Sequence, residues 1–301
     1  MTLPRARFLT LAGAALLGGP AMAQTGARMN KRKIPSTGEL LPVIGCGTWR
    51  TFDVGTAKAE RAPLAEVLRV LFEAGGSVID SSPMYGRAEG VVGDLLAEAG
   101  TRDKAFIATK VWTSGREQGI AQMERSFKLL RTDRIDLMQI HNLLDWETHL
   151  PTLQAWKKEG RIRYIGVTHY TSSAHAALEA VLRRGGFDFV QVDYSIDDRS
   201  AGNRLLPFAR DNGVAVLTNL PFGGGGLLGR IGRRKLPDWA AEIGCMSWPQ
   251  ILLKFVLANP AVTCAIPGTS NPEHMRDNLQ AALGAYPDAA LLKRMIAEIG
   301  G

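Results

Sequence analysis

The sequence predicts an α/β fold: a (β/α)8 TIM barrel preceded by a short N-terminal β-hairpin. Two observations carry this reading. Eight strand-like apolar runs alternate with segments of helical periodicity, and eight parallel strands close a barrel. Three consecutive runs then end in an ionisable residue, and a barrel of this kind builds its active site at the C-terminal ends of its strands. The chain has 301 residues and 46% of them are hydrophobic, enough for one barrel of about 250 residues.

Taken in order, the chain opens with Arg5 and Arg7, an apolar stretch from Phe8 to Ala21, and the small-x-small triplet Ala21-Met22-Ala23. That is the layout of a secretory signal peptide over residues 1–23. Gly18, Gly19 and Pro20 break the stretch, and it is too short to span a bilayer. Arg5-Ala6-Arg7-Phe8-Leu9 resembles a twin-arginine signal with its arginines separated. The expectation is an exported, periplasmic protein. Its single mature domain would run over residues 24–301 with no membrane span.

Lys31 to Pro42 reads as a hairpin turning at Ser36-Thr37-Gly38. Apolar runs follow, beginning near Pro42, Ser77, Ala105, Ile135, Arg163, Phe187, Val214 and Val262. Between them, Leu64, Val67, Leu68 and Leu71 recur at helical spacing. So do Met123, Phe127 and Leu130, and again Ile251, Leu252, Phe255 and Val256. Gly75, Gly76, Gly100, Gly160, Gly185 and Gly213 stand where helices should stop. The longest gap precedes the eighth run and holds the glycine-rich and basic stretch 222–247. An open doubly wound sheet would want Gly-x-Gly-x-x-Gly after its first strand. Here Gly45-Cys46-Gly47-Thr48-Trp49-Arg50 puts an arginine in the third place.

The formal charge is +7. The run Arg230, Arg233, Arg234, Lys235 has no interleaved aromatics and reads as a solvated loop, so no nucleic-acid partner is expected. Cys46, Cys245 and Cys264 are odd in number and far apart, which fits neither a disulfide framework nor a metal site.

The second run ends at Asp80 and leads into Ser81-Ser82-Pro83-Met84-Tyr85. The third ends at Lys110, the fourth at His141 and the fifth at Thr168-His169, and the sixth carries Gln191. A lysine or histidine that closes an apolar strand is costly without a partner. Asp80 alone could cap a turn, Tyr85 could be a packed aromatic, Lys110 could snorkel to solvent and His141 could be a core histidine. A shared site is the simpler account of all four. Hydride addition to a carbonyl leaves negative charge on oxygen, which needs a proton. Tyr85 would donate it, Lys110 would lower the tyrosine pKa, Asp80 would hold Lys110, and His141 would orient the carbonyl oxygen.

These residues resemble the aldo-keto reductase family over about Arg32 to Leu283. The motifs are Gly45-Cys-Gly-Thr-Trp49, Asp80-Ser-Ser-Pro-Met-Tyr85-Gly, Thr109-Lys110-Val-Trp112, Gln139-Ile-His141, Gly166-Val-Thr-His-Tyr170, Gln191-Val-Asp-Tyr-Ser195 and Ile266-Pro-Gly-Thr-Ser-Asn-Pro-Glu-His. The resemblance implies Asp80, Tyr85, Lys110 and His141 as the catalytic group, and NADPH, or else NADH, as hydride donor to a small aldehyde or ketone. It implies that Thr168, His169 and Gln191 hold the carboxamide, and that Asn219 stands where a tyrosine usually stacks on the nicotinamide. Leu220 to Leu227, with Pro221 and Gly223, would wrap the pyrophosphate through backbone amides. Gly268, Thr269, Ser270 and Asn278 match the adenosine-phosphate segment, with Thr269 at a helix start. The family's lysine and arginine are replaced there by Gly268 and His274, and Arg276 is a candidate substitute. Trp49, Trp112 and Leu143 would line the substrate pocket, which is expected to be open because the chain ends soon after the eighth helix. A monomer is expected. The departures at His169 and Asn219 leave a non-catalytic cofactor-binding subunit or redox sensor as the alternative.

Overall fold

Period-two alternation, in phase on neighbouring strands, shapes this molecule. In the computed structural model, which describes residues 29–299, β1 (Lys31–Lys33) and β2 (Leu40–Pro42) pair antiparallel. Gly38 makes their turn at φ +76°, a conformation in which a Cβ would be strained. The expected leader at residues 1–23 lies outside the described residues.

The barrel follows as β3 (Cys46–Gly47), α1 (Lys58–Glu73), β4 (Val78–Asp80), α2 (Ala88–Glu98), β5 (Phe106–Val111), α3 (Arg116–Leu129), β6 (Ile135–Ile140) and α4 (Trp146–Lys158). The second half is β7 (Ile162–Thr168), α5 (His175–Arg183), β8 (Phe189–Asp193), α6 (Leu205–Asp211), β9 (Ala215–Asn219), α7 (Gly226–Ile231), α8 (Trp248–Ala258), β10 (Val262–Ala265) and α9 (Pro272–Gln280). Strands β3 to β10 lie side by side in chain order, all parallel. The two ends of the sheet meet. Gly45 N–H donates to the Ala265 carbonyl at 2.9 Å, Ala265 N–H to Val43 at 2.8 Å and Gly47 N–H to Pro267 at 3.2 Å. These bonds remove the open edges and complete the barrel.

Every second strand residue points inward. Val78, Ala108, Leu137, Phe189, Ala215, Leu217 and Cys264 form an inner apolar cluster with Ile34 and Leu41 of the hairpin. The hairpin thus plugs the bottom of the barrel. Burial of those two side chains contributes about 3–6 kcal/mol at most. Tyr164 O–H donates to Glu39 Oε2 at 2.6 Å, and the Arg32 guanidinium donates to the carbonyls of Leu257, Asn259 and Val262, which fixes the plug. The alternate residues Ile79, Ile107, Met138, Ile165, Val190 and Val216 face the helices.

The inner face changes character one alternation further up. Two positions beyond Val78, Ala108, Leu137 and Phe189 stand Asp80, Lys110, Gln139 and Gln191, all buried. A polar layer therefore sits on an apolar one, and the strands themselves set its height.

The sequence reading did not anticipate α10 (Ala289–Ile299). It buries Met295 and Ile299, and Trp239 Nε1–H donates to Glu298 at 2.9 Å. No helix among the described residues is long and apolar enough to cross a membrane. All three cysteines are buried and free, and burial pushes the Cys46 thiol up to about 12.

Candidate active site

The polar layer is organised around one carboxylate. Asp80 Oδ2 accepts from Lys110 Nζ at 2.7 Å. Its Oδ1 accepts from Gln139 Nε2 at 3.1 Å and from Gln191 Nε2 at 2.8 Å. Lys110 also donates to the Ser81 carbonyl at 2.7 Å. The ammonium lies 4.9 Å from the centre of the Tyr85 ring, and Tyr85 meets His141 edge-on with ring centres 5.9 Å apart. The structure therefore brings Asp80, Tyr85, Lys110 and His141 together.

Burial opposes the charge on Lys110. The Asp80 carboxylate and the nearby Tyr85 outweigh it and raise the lysine pKa. Burial also governs Tyr85, whose hydroxyl is pushed above the ordinary tyrosine value; the Lys110 ammonium pulls it down and Asp80 adds to the rise. The expectation of a lowered tyrosine pKa is thus corrected, because desolvation exceeds the pull of one ammonium. His141 is held down at about 2 by burial first, then by Lys110 and His169. Its imidazole is neutral.

Trp112 stands beside His141 with ring centres 6.3 Å apart. Trp112 and Trp49 are exposed on loops that follow strands. The loop carrying Trp112 is clamped along its backbone. Trp112 N–H donates to Gln122 Oε1 at 2.5 Å, Gln122 Nε2 donates to the Trp112 carbonyl at 3.0 Å, and Gly115 N–H donates to Asp145 at 2.7 Å. The Thr113 carbonyl lies 2.7 Å from His149 Nε2. Non-glycine residues in the left-handed region gather at this rim: Arg50, Asn142, Leu143, Asp145 and Leu220 all lie in loops that leave strand ends. Strain of this kind persists where the surroundings over-determine it.

The expected cofactor residues form two arcs. In the first, Thr168 pairs in register with Gln191, His169 N–H donates to the Gln191 carbonyl at 3.0 Å, and Asn219 Nδ2 donates to the His169 carbonyl at 3.3 Å. Asn219 Oδ1 is buried without a partner. Gln191 Nε2 also braces the Asp80 carboxylate, and its Oε1 takes no part in that bond. Pro221 is buried behind this arc. The loop beyond it is a tight turn in which Gly223 and Gly225 N–H bond to the Leu220 and Phe222 carbonyls. These two amides are engaged within the turn itself.

In the second arc, Gly268 lies against Gly47, whose carbonyl oxygen would stand 3.1 Å from an added Cβ. Ser270 is exposed and Asn278 is buried. Thr269 does not begin α9; Asn271 is the N-cap, with its Oδ1 accepting from Glu273 N–H at 2.9 Å. Arg276 is paired in this structure: Glu66 of α1 and Glu273 each hold its guanidinium at 2.7 Å.

Two residues of the site carried no assignment in the sequence reading. Gln139 precedes His141 by two positions, so alternation puts both on the inner face. Ser82 lies in the turn after Asp80, and nothing local announces its contact with His141, 3.1 Å from Oγ to Nδ1.

The aldo/keto reductase family model matches residues 43–291. Methylglyoxal reductase YeaE of Escherichia coli is 29% identical, over 83% of this chain and 89% of that one. The NADH-specific methylglyoxal reductase of the same organism is 27% identical, over 90% and 99%. An aldo-keto reductase from Klebsiella pneumoniae, solved with NADPH, superposes with TM-score 0.76 at 26% identity, covering 90% of this chain and 96% of that chain. The expected export is corrected by this comparison: the bacterial relatives it finds, including YeaE and Bacillus subtilis YhdN, argue against a periplasmic location. A closed eight-stranded barrel with this polar layer at its mouth, matched over most of its length, belongs to the aldo/keto reductase family.

Proposed function

We propose that this chain is an NAD(P)H-dependent reductase of small aldehydes or ketones in which Tyr85 donates the proton. The observation that carries the reading is the meeting of Tyr85, Lys110 and His141 above the buried Asp80 carboxylate. A nicotinamide dinucleotide fits the mouth on this chain's own terms. Asn219 Oδ1 is an orphaned buried acceptor beside Thr168 and His169, the set an amide-bearing ring would complete. Pro221, Gly223, Gly268, Thr269, Ser270 and Asn278 would hold the remainder. The bound dinucleotide supplies the hydride.

The chain's residues supply everything else. His141, neutral, offers an N–H to the carbonyl oxygen and orients it. Tyr85 is protonated across the physiological range, as its raised pKa requires, and it transfers its proton to that oxygen. Lys110 places a positive charge where the tyrosinate forms. Asp80, braced by Gln139 and Gln191, keeps Lys110 charged and in place. Trp49 and Trp112 exclude water on the apolar side. The set comes from one chain, as a monomeric catalyst requires.

The test is NADPH oxidation with a reactive aromatic aldehyde, with wild type and Tyr85→Phe side by side and each repeated with NADH. Turnover that collapses in Tyr85→Phe supports the reading. Tight cofactor binding without turnover in either protein refutes it and favours a sensor.

A further inference from the structure

We propose that Ser82 is a positioning residue that fixes the tautomer of His141, so that Nε2 carries the ring proton and presents it to the substrate carbonyl oxygen. The proposal rests on the reading above, in which His141 and Tyr85 meet that oxygen.

Ser82 is fully buried in the turn between Asp80 and Tyr85. Its Oγ lies 3.1 Å from His141 Nδ1 and accepts from Met84 N–H at 3.3 Å. A serine hydroxyl has one hydrogen to donate and two lone pairs, and the Met84 amide takes one of those pairs. If Nδ1 is bare, the Ser82 O–H donates to it and both groups are satisfied. The ring proton then sits on Nε2, which has no partner among the described residues. If Nδ1 carries the proton instead, it donates to Oγ, which then accepts twice. The Ser82 hydrogen is left without an acceptor among the described residues, at a site closed to solvent, and an unmade buried hydrogen bond is costly. In that tautomer Nε2 would also aim a lone pair at an oxygen gaining negative charge. Both arguments select Nε2–H.

The same turn links the tautomer to the rest of the group. The Ser82 carbonyl accepts from Tyr85 N–H at 2.9 Å, and the Ser81 carbonyl accepts from Lys110. The hydroxyl that orients the imidazole therefore belongs to the segment that seats the tyrosine. The contact joins residues 59 positions apart.

The experiment is a long-range ¹H–¹⁵N correlation spectrum of the full chain labelled at histidine, with His141→Gln used to assign the His141 signals. Wild type should show a single tautomer with a bare Nδ1. Ser82→Ala should give the other tautomer or a mixture, and should lower kcat by about 10–100-fold with the KM for cofactor unchanged. Ser82→Thr keeps the hydroxyl and should preserve both the tautomer and kcat. A proton on Nδ1 in wild type overturns the proposal, and so does a Ser82→Ala spectrum that keeps a pure Nε2–H form. Should Ser82→Ala fail to fold, the wild-type and Ser82→Thr spectra still decide: a protonated Nδ1 in either refutes it. The spectra need no turnover, so failure of the reductase reading in the Tyr85→Phe comparison is a separate result.

Discussion

Lys110 Nζ and Asp80 Oδ2 meet at 2.7 Å in a place where neither side chain is open to water. A buried ion pair of this kind contributes little net stability, yet breaking one side of it leaves an uncompensated charge and costs about 3–5 kcal/mol. Asp80→Asn should therefore unfold several degrees earlier and lose turnover, because Lys110 no longer has its counter-charge. Asp80→Asn combined with Lys110→Met removes both charges and should recover most of the lost stability while remaining inactive. Thermal unfolding of wild type, single and double variants checks this. A double variant no more stable than Asp80→Asn would show that the pair is not the source of the loss.

Burial raises the Tyr85 pKa, and this sets the alkaline limb of reduction. Tyr85 must be protonated to act as the acid, so activity is present below its pKa and lost as pH rises through it. A raised pKa moves that loss above the pH at which an ordinary tyrosine titrates, about 10. His141, held at about 2, adds no limb between pH 4 and 8. The expected profile of kcat for reduction is flat from mildly acidic to strongly alkaline pH, provided chemistry limits turnover. A midpoint near 8 would mean that Lys110 wins over desolvation once substrate and cofactor fill the mouth.

The barrel was legible because its signals are local. Asp80, Lys110 and His141 each close an apolar run, and alternation places them on one inner face without knowledge of any contact. The same rule reaches Gln139 once His141 is fixed. What the sequence could not carry was competition for hydrogen bonds between distant segments. Gln191 reads as a free amide, yet its Nε2 already donates to Asp80, 111 positions away. Arg276 reads as an unpaired cation, yet α1 brings Glu66 against it. The sign of the Tyr85 shift was missed for a related reason, since a desolvation penalty depends on a depth that three-dimensional packing decides.

Gln122 fixes Trp112 by mimicking a strand partner, bonding both its N–H and its carbonyl. Gln122→Leu keeps the bulk and removes both bonds. The loop should then sample other positions, and the aromatic wall of the mouth should loosen. KM for bulky aromatic aldehydes is expected to rise by about 3–10-fold while kcat for a two- or three-carbon aldehyde stays near wild type, as loss of uniform binding predicts. Equal losses for large and small substrates would place the effect on the catalytic group.

Glu66 and Glu273 hold Arg276 between them, beside the segment Gly268 to Ser270 expected to meet the adenosine end of the cofactor. A guanidinium held by two carboxylates is a poor partner for a phosphate, because the phosphate must displace a bond already made. Glu66→Ala removes the contact across α1 and α9 and leaves Arg276 with one carboxylate. The preference, measured as the ratio of kcat/KM for NADPH to that for NADH, should rise by about threefold to tenfold, in keeping with one partly exposed charge. Arg276→Ala should abolish the gain in the Glu66→Ala background. Folding stability should barely change, since both side chains are partly exposed and such pairs contribute little. An unchanged ratio in Glu66→Ala would remove Arg276 from the cofactor site and leave it as a clasp between α1 and α9.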